Sequence, residues 1–404
     1  MSATDQTGGA KQRPSAGDQS FWQNEGVRGV AIQIVAAVAV VAAFVFLAHN
    51  TVVNIHRLGQ NLGFDFLSHN AGFDIAITLI PYDLQSSCLR VFAVGVVNTL
   101  VLSAIGIVLA TIIGFVVGIA RLSRNFLIAK LAAAYVDILR NIPLLAQIIF
   151  WYFGVLTALP GVRQSLDLSW GEKLIFINSR GLYMPAPIVE PGFWIMPAAL
   201  LVGIIAAVLV HRWARRRQVL TGRQFPSFWT GLALVIGLPV LVSLAGGPHL
   251  TWSVPVLKGF NFAGGMDILP EFVALLLALS VYTGAFIAEI VRGGILAVSH
   301  GQSEAAHALG LSTIQTTRLV VLPQALRIIV PPLTSQYLNL TKNSSLAVAI
   351  GYPDLVNVFM GTVQNQTGHP VETIAMTMAF YLAISLLISL FMNWYNRRIA
   401  LVER

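Results

Sequence analysis

Two strongly apolar runs are separated by one polar to amphipathic stretch, Ser299-His-Gly-Gln-Ser-Glu-Ala-Ala-His-Ala-Leu-Gly-Leu-Ser-Thr-Ile-Gln315, which continues to Pro323. Ser299 and Gln302 have the spacing of a capping box, so we predict that a helix begins there. Gly310 is the type of residue that commonly ends a helix in the left-handed conformation. Ser312 and Gln315 repeat the capping-box spacing and predict a second, amphipathic helix that ends at the proline. The stretch therefore predicts two short helices in a V, a shape suited to docking on another protein.

The composition around this stretch is that of a membrane protein. The 404 residues are 56% hydrophobic and 10% charged, with a mean hydropathy of +0.75. Soluble proteins carry about 25% charged residues. The net charge of +8 does not indicate a nucleic-acid partner, because many of the basic residues flank apolar runs, where they set membrane topology. The single cysteine, Cys88, excludes an intrachain disulfide and a cysteine-rich metal site.

A helix needs about 20 predominantly apolar residues to cross the hydrocarbon core of a bilayer. Eight stretches qualify as candidate spans: Gly29–Ala48, Val91–Ala120, Ala132–Leu156, Gly192–Val210, Phe228–Ala245, Phe272–Val291, Ile328–Ile350 and Thr373–Tyr395. The seventh contains Pro331-Pro332, which we expect to break it. The sequence thus predicts an all-α, multi-pass membrane protein with about eight spans.

The basic residues predict the orientation. With the N-terminus in the cytoplasm, most arginines and lysines fall on the cytoplasmic side, as the positive-inside rule requires. Residues 1-28 are polar and no cleavage site follows the first apolar run, so we predict a disordered cytoplasmic tail and an uncleaved first span. The same orientation places residues 297-323 and the C-terminal tail 397-404 in the cytoplasm.

Small residues recur at every fourth position of the second span, at Gly106, Ala110, Gly114 and Gly118. This spacing lets a neighbouring helix approach closely in lipid, so it predicts a packing seam.

The stretch between the apolar runs also resembles a known motif. Glu304-Ala305-Ala306, three residues, Gly310, nine residues, Val320, one residue and Leu322-Pro323 are similar to the EAA loop of ABC-importer permeases, with valine where isoleucine is commoner. The resemblance implies that this loop forms coupling helices which sit in a groove of a cytoplasmic ATPase. The coupling residues it implies are Glu304, Ala305, Ala306, Gly310, Leu322 and Pro323.

Four further segments resemble the polar amino acid permeases within type I ABC importers: Val97–Leu100, Tyr135–Gln147, Tyr282–Gly294 and Thr341–Leu346. The resemblance covers the five spans of that family's common core. It implies an amino-terminal core part at 91-156 and a carboxy-terminal part at 271-396, which includes the coupling loop 297-323. An extra first span and outer segment at 29-90, and an insertion with two further spans at 157-270, depart from the common pattern.

This enlarged layout resembles one permease subunit of the general L-amino acid importers of Gram-negative bacteria. The resemblance implies a location in the bacterial inner membrane and an amino acid as substrate, moved by alternating access. It also implies three partners, which are a second related permease, a cytoplasmic ABC ATPase dimer and a periplasmic amino-acid-binding protein.

The chain lacks the residues of an ATPase. No Gly-x-x-x-x-Gly-Lys-Ser/Thr loop occurs, and the dipeptide Gly-Lys is absent. No cluster of His, Cys and carboxylates has metal-ligand spacing either. We therefore predict a transport subunit that is not an enzyme and has no cofactor or metal.

Ionisable groups within spans usually face a partner or a cavity. Asp137 and Arg140 are three residues apart on a helix and can pair, and Glu289 and Arg292 have the same spacing. Either pair could line a translocation path, although pairs that neutralise each other and hold helices together are the simpler interpretation. A stronger candidate for the path of a zwitterionic amino acid is the polar run Lys342, Asn343, Ser344 and Ser345.

Two other functional classes stay open at this point. A secondary transporter driven by an ion gradient predicts a carboxylate near a helix break at the membrane midplane. A purely structural or assembly protein would leave the cytoplasmic V without a purpose.

Overall fold

The computed structural model describes residues 25–57, 63–188, 194–244 and 251–399. Most of the predicted tail 1-28 lies outside the described residues, as do residues 400–404 of the predicted tail 397-404. The described helices are α1 (Glu25–Arg57), α2 (Cys88–Ala120), α3 (Phe126–Asn141), α4 (Leu144–Ile149), α5 (Ile195–Thr221), α6 (Ser227–Leu244), α7 (Pro270–Leu296), α8 (His300–Ala308), α9 (Thr313–Thr316), α10 (Leu322–Asn343), α11 (Gln364–Thr367) and α12 (Pro370–Ile399).

Six of these helices, α1, α2, α5, α6, α7 and α12, are long and apolar enough to cross a membrane. A seventh span is possible in the described residues if α3 and the segment Leu144–Leu156, which meet at a bend of 105°, act as one. The helical, multi-pass architecture is as predicted. The predicted span Ile328–Ile350 does not meet the same test, since α10 combines an apolar first half with a polar second half.

The prolines of α10 do not break it, contrary to the sequence-based expectation. The helix runs through Pro331 and Pro332 to Asn343, then tightens into a 3₁₀ segment, Ser344–Ile350, that ends at Gly351 with φ +77°. Proline removes a hydrogen-bond donor but has a φ compatible with a helix. The neighbouring side chains of Ile329, Val330 and Leu333 are buried in the core and hold the helix in place. The change of helix type occurs instead at Ser344, within the polar run and at its buried member.

The seam of small residues on α2 packs against α7, as predicted. A Cβ atom built on Gly114 would lie 2.4 Å from Cγ2 of Ile287, and one on Gly118 would lie 2.7 Å from the carbonyl oxygen of Ala288. From the other side, a Cβ on Gly284 would lie 2.9 Å from Cγ2 of Ile113. These distances leave no room for side chains, so the backbones of the two helices are in near contact.

Two adjacent glycines at the end of α7 give a matched test of this packing. A Cβ on Gly294 would lie 2.3 Å from Cγ1 of Ile329, whereas one on Gly293 meets no atom within 4 Å. We expect Gly294→Ala to lower the free energy of unfolding by about 1–3 kcal/mol through overpacking. Gly293→Ala should raise it by up to about 1 kcal/mol because alanine has the better helix propensity. Unfolding in mixed detergent would measure both, and shifts of the same sign would contradict the close packing at residue 294.

The segments before α5 and after α6 fold together into short strands, for which the sequence gives no local signal. They are β1 (Leu166–Asp167), β2 (Phe176–Asn178), β3 (Gly181–Met184), β4 (Ala186–Pro187), β5 (Trp252–Ser253), β6 (Val256–Lys258), β7 (Asn261–Ala263) and β8 (Met266–Ile268). One antiparallel sheet has the order β1-β2-β3-β8, while β4 pairs with β5 and β6 with β7. The β3–β8 pairing, with Leu182 opposite Ile268, joins the loop before α5 to the loop after α6. Helices α5 and α6 thus form a hairpin whose two outer ends meet at this β layer.

Candidate functional site

Helix α8 begins at His300, as predicted, but without the predicted capping box. Ser299 is its N-cap residue, and its side chain makes no capping hydrogen bond. The capping box at Ser299 and Gln302 is therefore wrong. The Gln302 carboxamide accepts a hydrogen bond from Nε2 of Gln324 at 3.3 Å instead, and so links α8 to α10.

The turn after α8 is the one that the sequence indicates. Gly310 has φ +81°, in the left-handed region. The N–H of Leu311 donates to the carbonyl of Ala306 at 3.1 Å, and that of Gly310 donates to the carbonyl of His307 at 2.9 Å. This pair of bonds is a Schellman motif, which satisfies the last carbonyls of the helix. The capping box that follows, between Ser312 and Gln315, is present with both of its hydrogen bonds.

The helix that begins at Thr313 does not end at Pro323, which corrects the picture of two short helices. It passes through a π-helical segment, Thr317–Val321, directly into α10. The N–H of Leu322 donates to the carbonyl of Thr317, five residues earlier. Because proline has no N–H, a regular helix would leave a carbonyl unpaired here, and the wider π turn changes the hydrogen-bond register. The long arm of the V is therefore one helical rod from Thr313 to Asn343, about 45 Å long at 1.5 Å per residue.

Residues 297-323, the predicted coupling loop, are called the coupling stretch from here on. This stretch presents exposed apolar side chains. Leu309, Ile314 and Leu319 are 84%, 80% and 62% exposed. The Glu304 carboxylate is also exposed in this stretch, 3.5 Å from Nδ1 of His300. Large apolar side chains that stay exposed mark a site of contact with another protein or with a membrane.

Five of the six predicted coupling residues lie on this exposed surface and one lies beneath it. Glu304, Ala305, Gly310, Leu322 and Pro323 are exposed, while Ala306 is buried. Thr316 of the second arm is buried as well. The two arms of the V contact each other, and these two small residues are buried while the remaining predicted residues are exposed to a partner.

A second cluster lies at the start of the coupling stretch, around Glu289. Arg292 donates from Nη2 to Glu289 Oε1 at 2.5 Å, so the predicted pair is confirmed. Arg121, at the end of α2, binds the other carboxylate oxygen. This third partner was not predicted. The cluster joins the ends of α2 and α7, and so holds helices together where the coupling stretch begins.

The predicted pairing of Asp137 with Arg140 is not formed. The Arg140 guanidinium lies 5.0 Å from the centre of the Phe286 ring on α7, in a cation–π contact. Asp137 is exposed, and among the described residues no cation lies within ion-pair distance of its carboxylate. Attraction to an aromatic ring on a neighbouring helix has replaced the local i, i+3 pair.

In the polar run Lys342–Ser345, some side chains line a groove and others are buried in the core. Lys342 and Ser345 line a groove of about 470 Å³ between the end of α10 and α12, with Thr377 and Tyr381 on the α12 side. Ser344 is fully buried instead, and its hydroxyl donates to the carbonyl of Thr341 at 2.7 Å. Asn343, between them, is half-buried. The other three candidates for the translocation path, Asp137, Arg140 and Glu289, do not line this groove.

A buried polar cluster that no sequence pattern predicts lies beside Ser344. Asn98 is fully buried, and its Nδ2 donates to the carbonyls of Ile77 and Pro353, both at 2.9 Å. The Tyr352 hydroxyl donates to the Asn98 carbonyl at 3.3 Å. Asp354 is also fully buried, and its Oδ1 accepts the backbone N–H of Asn357 at 2.9 Å. The only sequence signal was the resemblance of Val97–Leu100, because a Tyr-Pro-Asp tripeptide reads as an ordinary turn.

Residues 199–401, which include most of α5 and all of α6, α7 and the coupling stretch, match the family described as "Binding-protein-dependent transport system inner membrane component". The chain is 53% identical to the putative amino-acid ABC transporter permease protein YhdX of Escherichia coli K12, over 96% of this chain and 98% of that protein. It is 52% identical to the general L-amino acid transport system permease protein AapQ of Rhizobium johnstonii, over 93% of both.

A third relative is the glutamate/glutamine/aspartate/asparagine transport system permease protein BztB of Rhodobacter capsulatus, 42% identical over 93% of this chain and 95% of that protein. These relatives confirm the resemblance to amino acid permeases that the EAA loop and the four further segments indicated. The chain belongs to the family of binding-protein-dependent transport system inner membrane components and is a permease of an ABC importer.

Proposed function

We propose that this chain carries polar L-amino acids across a bacterial inner membrane, driven by a separate ATPase that docks on the coupling stretch. The observation that carries the proposal is the exposed surface of Leu309, Ile314 and Leu319 on a V whose long arm is a continuous helix. As a permease the chain is a transport subunit and not an enzyme, which agrees with the missing phosphate-binding loop.

The continuous rod supports a mechanical link between the ATPase and the path. The end of the rod at Thr313 carries the docking surface. The end at Asn343 carries Lys342 and leads into the Ser344–Ile350 segment. A push on the coupling stretch would therefore move the Lys342 groove without any flexible joint between them. The mechanism that follows is alternating access, in which closure of an ATPase dimer rocks the spans and exposes the path to the outer side.

The further partners that we propose are a periplasmic amino-acid-binding protein and a second, related permease. An amino acid is a zwitterion, and its carboxylate would meet Lys342 in the groove. The hydroxyl groups of Ser345, Thr377 and Tyr381 line the same groove and offer hydrogen bonds to a polar substrate. The substrate class follows from these groups together with the names of the relatives, all three of which are amino acid permeases.

One observation bears on the ion-gradient alternative. Asp354 is a buried carboxylate close to the change of helix type at Ser344, and a secondary transporter would have such a group. However, Asp354 Oδ1 accepts the N–H of Asn357 and so acts as a cap for the helical segment that follows. Family membership and the docking surface both favour an ATP-driven importer over an ion-gradient-driven transporter.

Reconstituted uptake tests the proposed function. Proteoliposomes that hold this chain, its partner permease and the ATPase should accumulate a radiolabelled polar amino acid when the binding protein and ATP are supplied. A proton uncoupler should leave this uptake unchanged. Uptake that collapses with the uncoupler and persists without ATP would contradict the proposal.

Lys342 provides a test of the translocation path. We expect Lys342→Gln to reduce uptake about five-fold, because a cation in the groove is lost while the amide keeps a similar length. The ATPase should still co-purify, since the docking surface is about 45 Å away along the rod. Lys258→Gln, which removes an exposed lysine from the β6–β7 hairpin, is the charge-matched control. Equal uptake by the Lys342→Gln and Lys258→Gln variants would show that Lys342 has no role in the translocation path.

A further inference from the structure

The turn between α5 and α6 concentrates positive charge. Four arginines lie in the last ten residues of α5, at positions Arg212, Arg215, Arg216 and Arg217, and a fifth, Arg223, lies in the turn itself. No aspartate or glutamate occurs between Glu190 and Asp267. In the part of the chain that the structure describes, none of the five guanidinium groups takes part in an ion pair. A concentration of charge of this kind attracts anions from outside the chain.

The strand pairing places this turn on the same side of the membrane as the coupling stretch. β4 precedes α5, β5 follows α6, and the two strands pair at Ala186 and Ser253. Both outer ends of the hairpin are therefore at the β layer, and the turn is at the opposite end. α7 starts after β8, at the same layer, and ends at the coupling stretch. The positive-inside rule assigns this shared side to the cytoplasm.

Small residues bring the two helices of the hairpin together. A Cβ on Gly203 would lie 2.8 Å from the carbonyl oxygen of Leu234, and one on Gly231 would lie 3.3 Å from Cβ of Ala207. Such close crossing is how helices associate in lipid. Larger side chains on either side of the crossing then stand out from the helices and enclose a groove.

The groove between α5 and α6 is lined by apolar side chains along most of its length and by polar side chains at one end. Its volume is about 450 Å³, and Val208 and Leu232 are among its apolar walls. His211, Arg212 and Ser227 line the other end, where His211 Nδ1 and Ser227 Oγ are 3.3 Å apart. The polar end of the groove thus opens beside the cluster of arginines.

Aromatic side chains set the depth of this polar end in the bilayer. Trp213 and Phe228 are 50% and 71% exposed, next to Arg212 and Ser227 in the chain. The Arg217 guanidinium lies 5.3 Å from the centre of the Trp213 ring. Aromatic rings with polar neighbours settle at the level of the lipid headgroups. The polar end of the groove therefore lies at headgroup depth, and its apolar length points into the hydrocarbon.

We propose that the α5–α6 hairpin binds an anionic glycerophospholipid. Its phosphate accepts hydrogen bonds from the Arg212 guanidinium, whose planar fork suits phosphate oxygens. One acyl chain lies in the groove between Val208 and Leu232. A zwitterionic lipid has the same phosphate, but its ammonium group is repelled by Arg215 and Arg216. The site therefore selects for net negative charge, and it is independent of the transport function proposed above.

Lipid binding to the purified full-length chain tests the proposal. Native mass spectrometry would titrate phosphatidylglycerol and phosphatidylcholine with identical acyl chains. We expect the wild type to bind phosphatidylglycerol about ten-fold more tightly than phosphatidylcholine, and Arg212→Gln to weaken the binding of phosphatidylglycerol by about five-fold. Val208→Trp, which fills the groove and keeps the charge, should weaken both lipids. Arg163→Gln, on the β-layer side, is the charge-matched control and should change neither.

Three results would overturn the proposal. The first is equal affinity of the wild type for the two lipids. The second is an equal effect of Arg212→Gln and Arg163→Gln, which would show a diffuse response to net charge. The third is displacement of phosphatidylglycerol by millimolar inorganic phosphate, which would identify a plain anion site. Unchanged gel-filtration profiles would establish that each variant is folded, and if Val208→Trp does not fold, the comparison of the two arginine variants decides.

Discussion

Gly310→Val is expected to abolish ATP-driven uptake while the membrane spans stay folded. Gly310 has φ +81°, and a β-branched side chain is strongly disfavoured in that left-handed region. Valine would therefore drive the backbone out of the turn and break the two Schellman hydrogen bonds from Gly310 and Leu311. The conformational cost and the two lost bonds together amount to about 3 kcal/mol. At about 1.4 kcal/mol per factor of ten, the docking-competent V would be about a hundred-fold less populated.

The measurement is retention of the ATPase during affinity purification, followed by uptake in proteoliposomes. A Cβ on Gly310 meets no atom within 4 Å, so a loss would follow from the left-handed backbone conformation and not from crowding at the Cβ atom. Gly310→Asn is the matched control, because asparagine tolerates the left-handed region and should keep most of the activity. If the valine and asparagine variants bind the ATPase equally well, the shape of the V has no part in docking. Loss of folded protein in the valine variant alone would show that the turn supports the spans instead.

The local elements of this site were predictable because their determinants lie within a few residues of each other. Gly310 and the capping box at Ser312 and Gln315 depend on backbone hydrogen bonds that span three to five positions, and both have the predicted geometry. The seam on α2 follows from a regular spacing of small residues in one helix. In each case, one segment of sequence contains all the atoms that decide the conformation.

Predictions failed where a distant segment supplied the deciding contact. Pro331 was expected to break its helix, but the packing of Ile329 and Leu333 against other helices keeps it continuous. Arg140 was expected to pair with Asp137 and contacts Phe286, on another helix, instead. The β3–β8 sheet joins residues that are separated in sequence by two membrane helices, so no local pattern indicates it. The Lys342 groove likewise depends on α12, and its role stays a prediction.

Asn98→Leu is expected to destabilise the fold by about 3 kcal/mol. The Asn98 side chain is fully buried, and its amide donates to the carbonyls of Ile77 and Pro353, both at 2.9 Å. These two carbonyls belong to segments far apart in the chain, so one side chain holds three segments together. Leucine has a similar volume but no donor, and it would leave both carbonyls buried and unpaired. Each unpaired carbonyl costs about 1–3 kcal/mol, partly offset by the removal of Asn98 Oδ1, which has no hydrogen-bond partner.

Unfolding in mixed detergent, followed by tryptophan fluorescence, would measure the loss. Asn339→Leu is the matched control, because Asn339 is exposed on α10 and the same substitution there should change the free energy of unfolding by less than about 0.5 kcal/mol. A value for Asn98→Leu as small as that of the control would mean that the two carbonyls find water or other donors. A large value would establish that the buried cluster ties the start of α2 to the Tyr352–Asp354 turn. That turn follows the 3₁₀ segment at the end of α10, so the same bonds fix the inner end of the rod that starts at the coupling stretch.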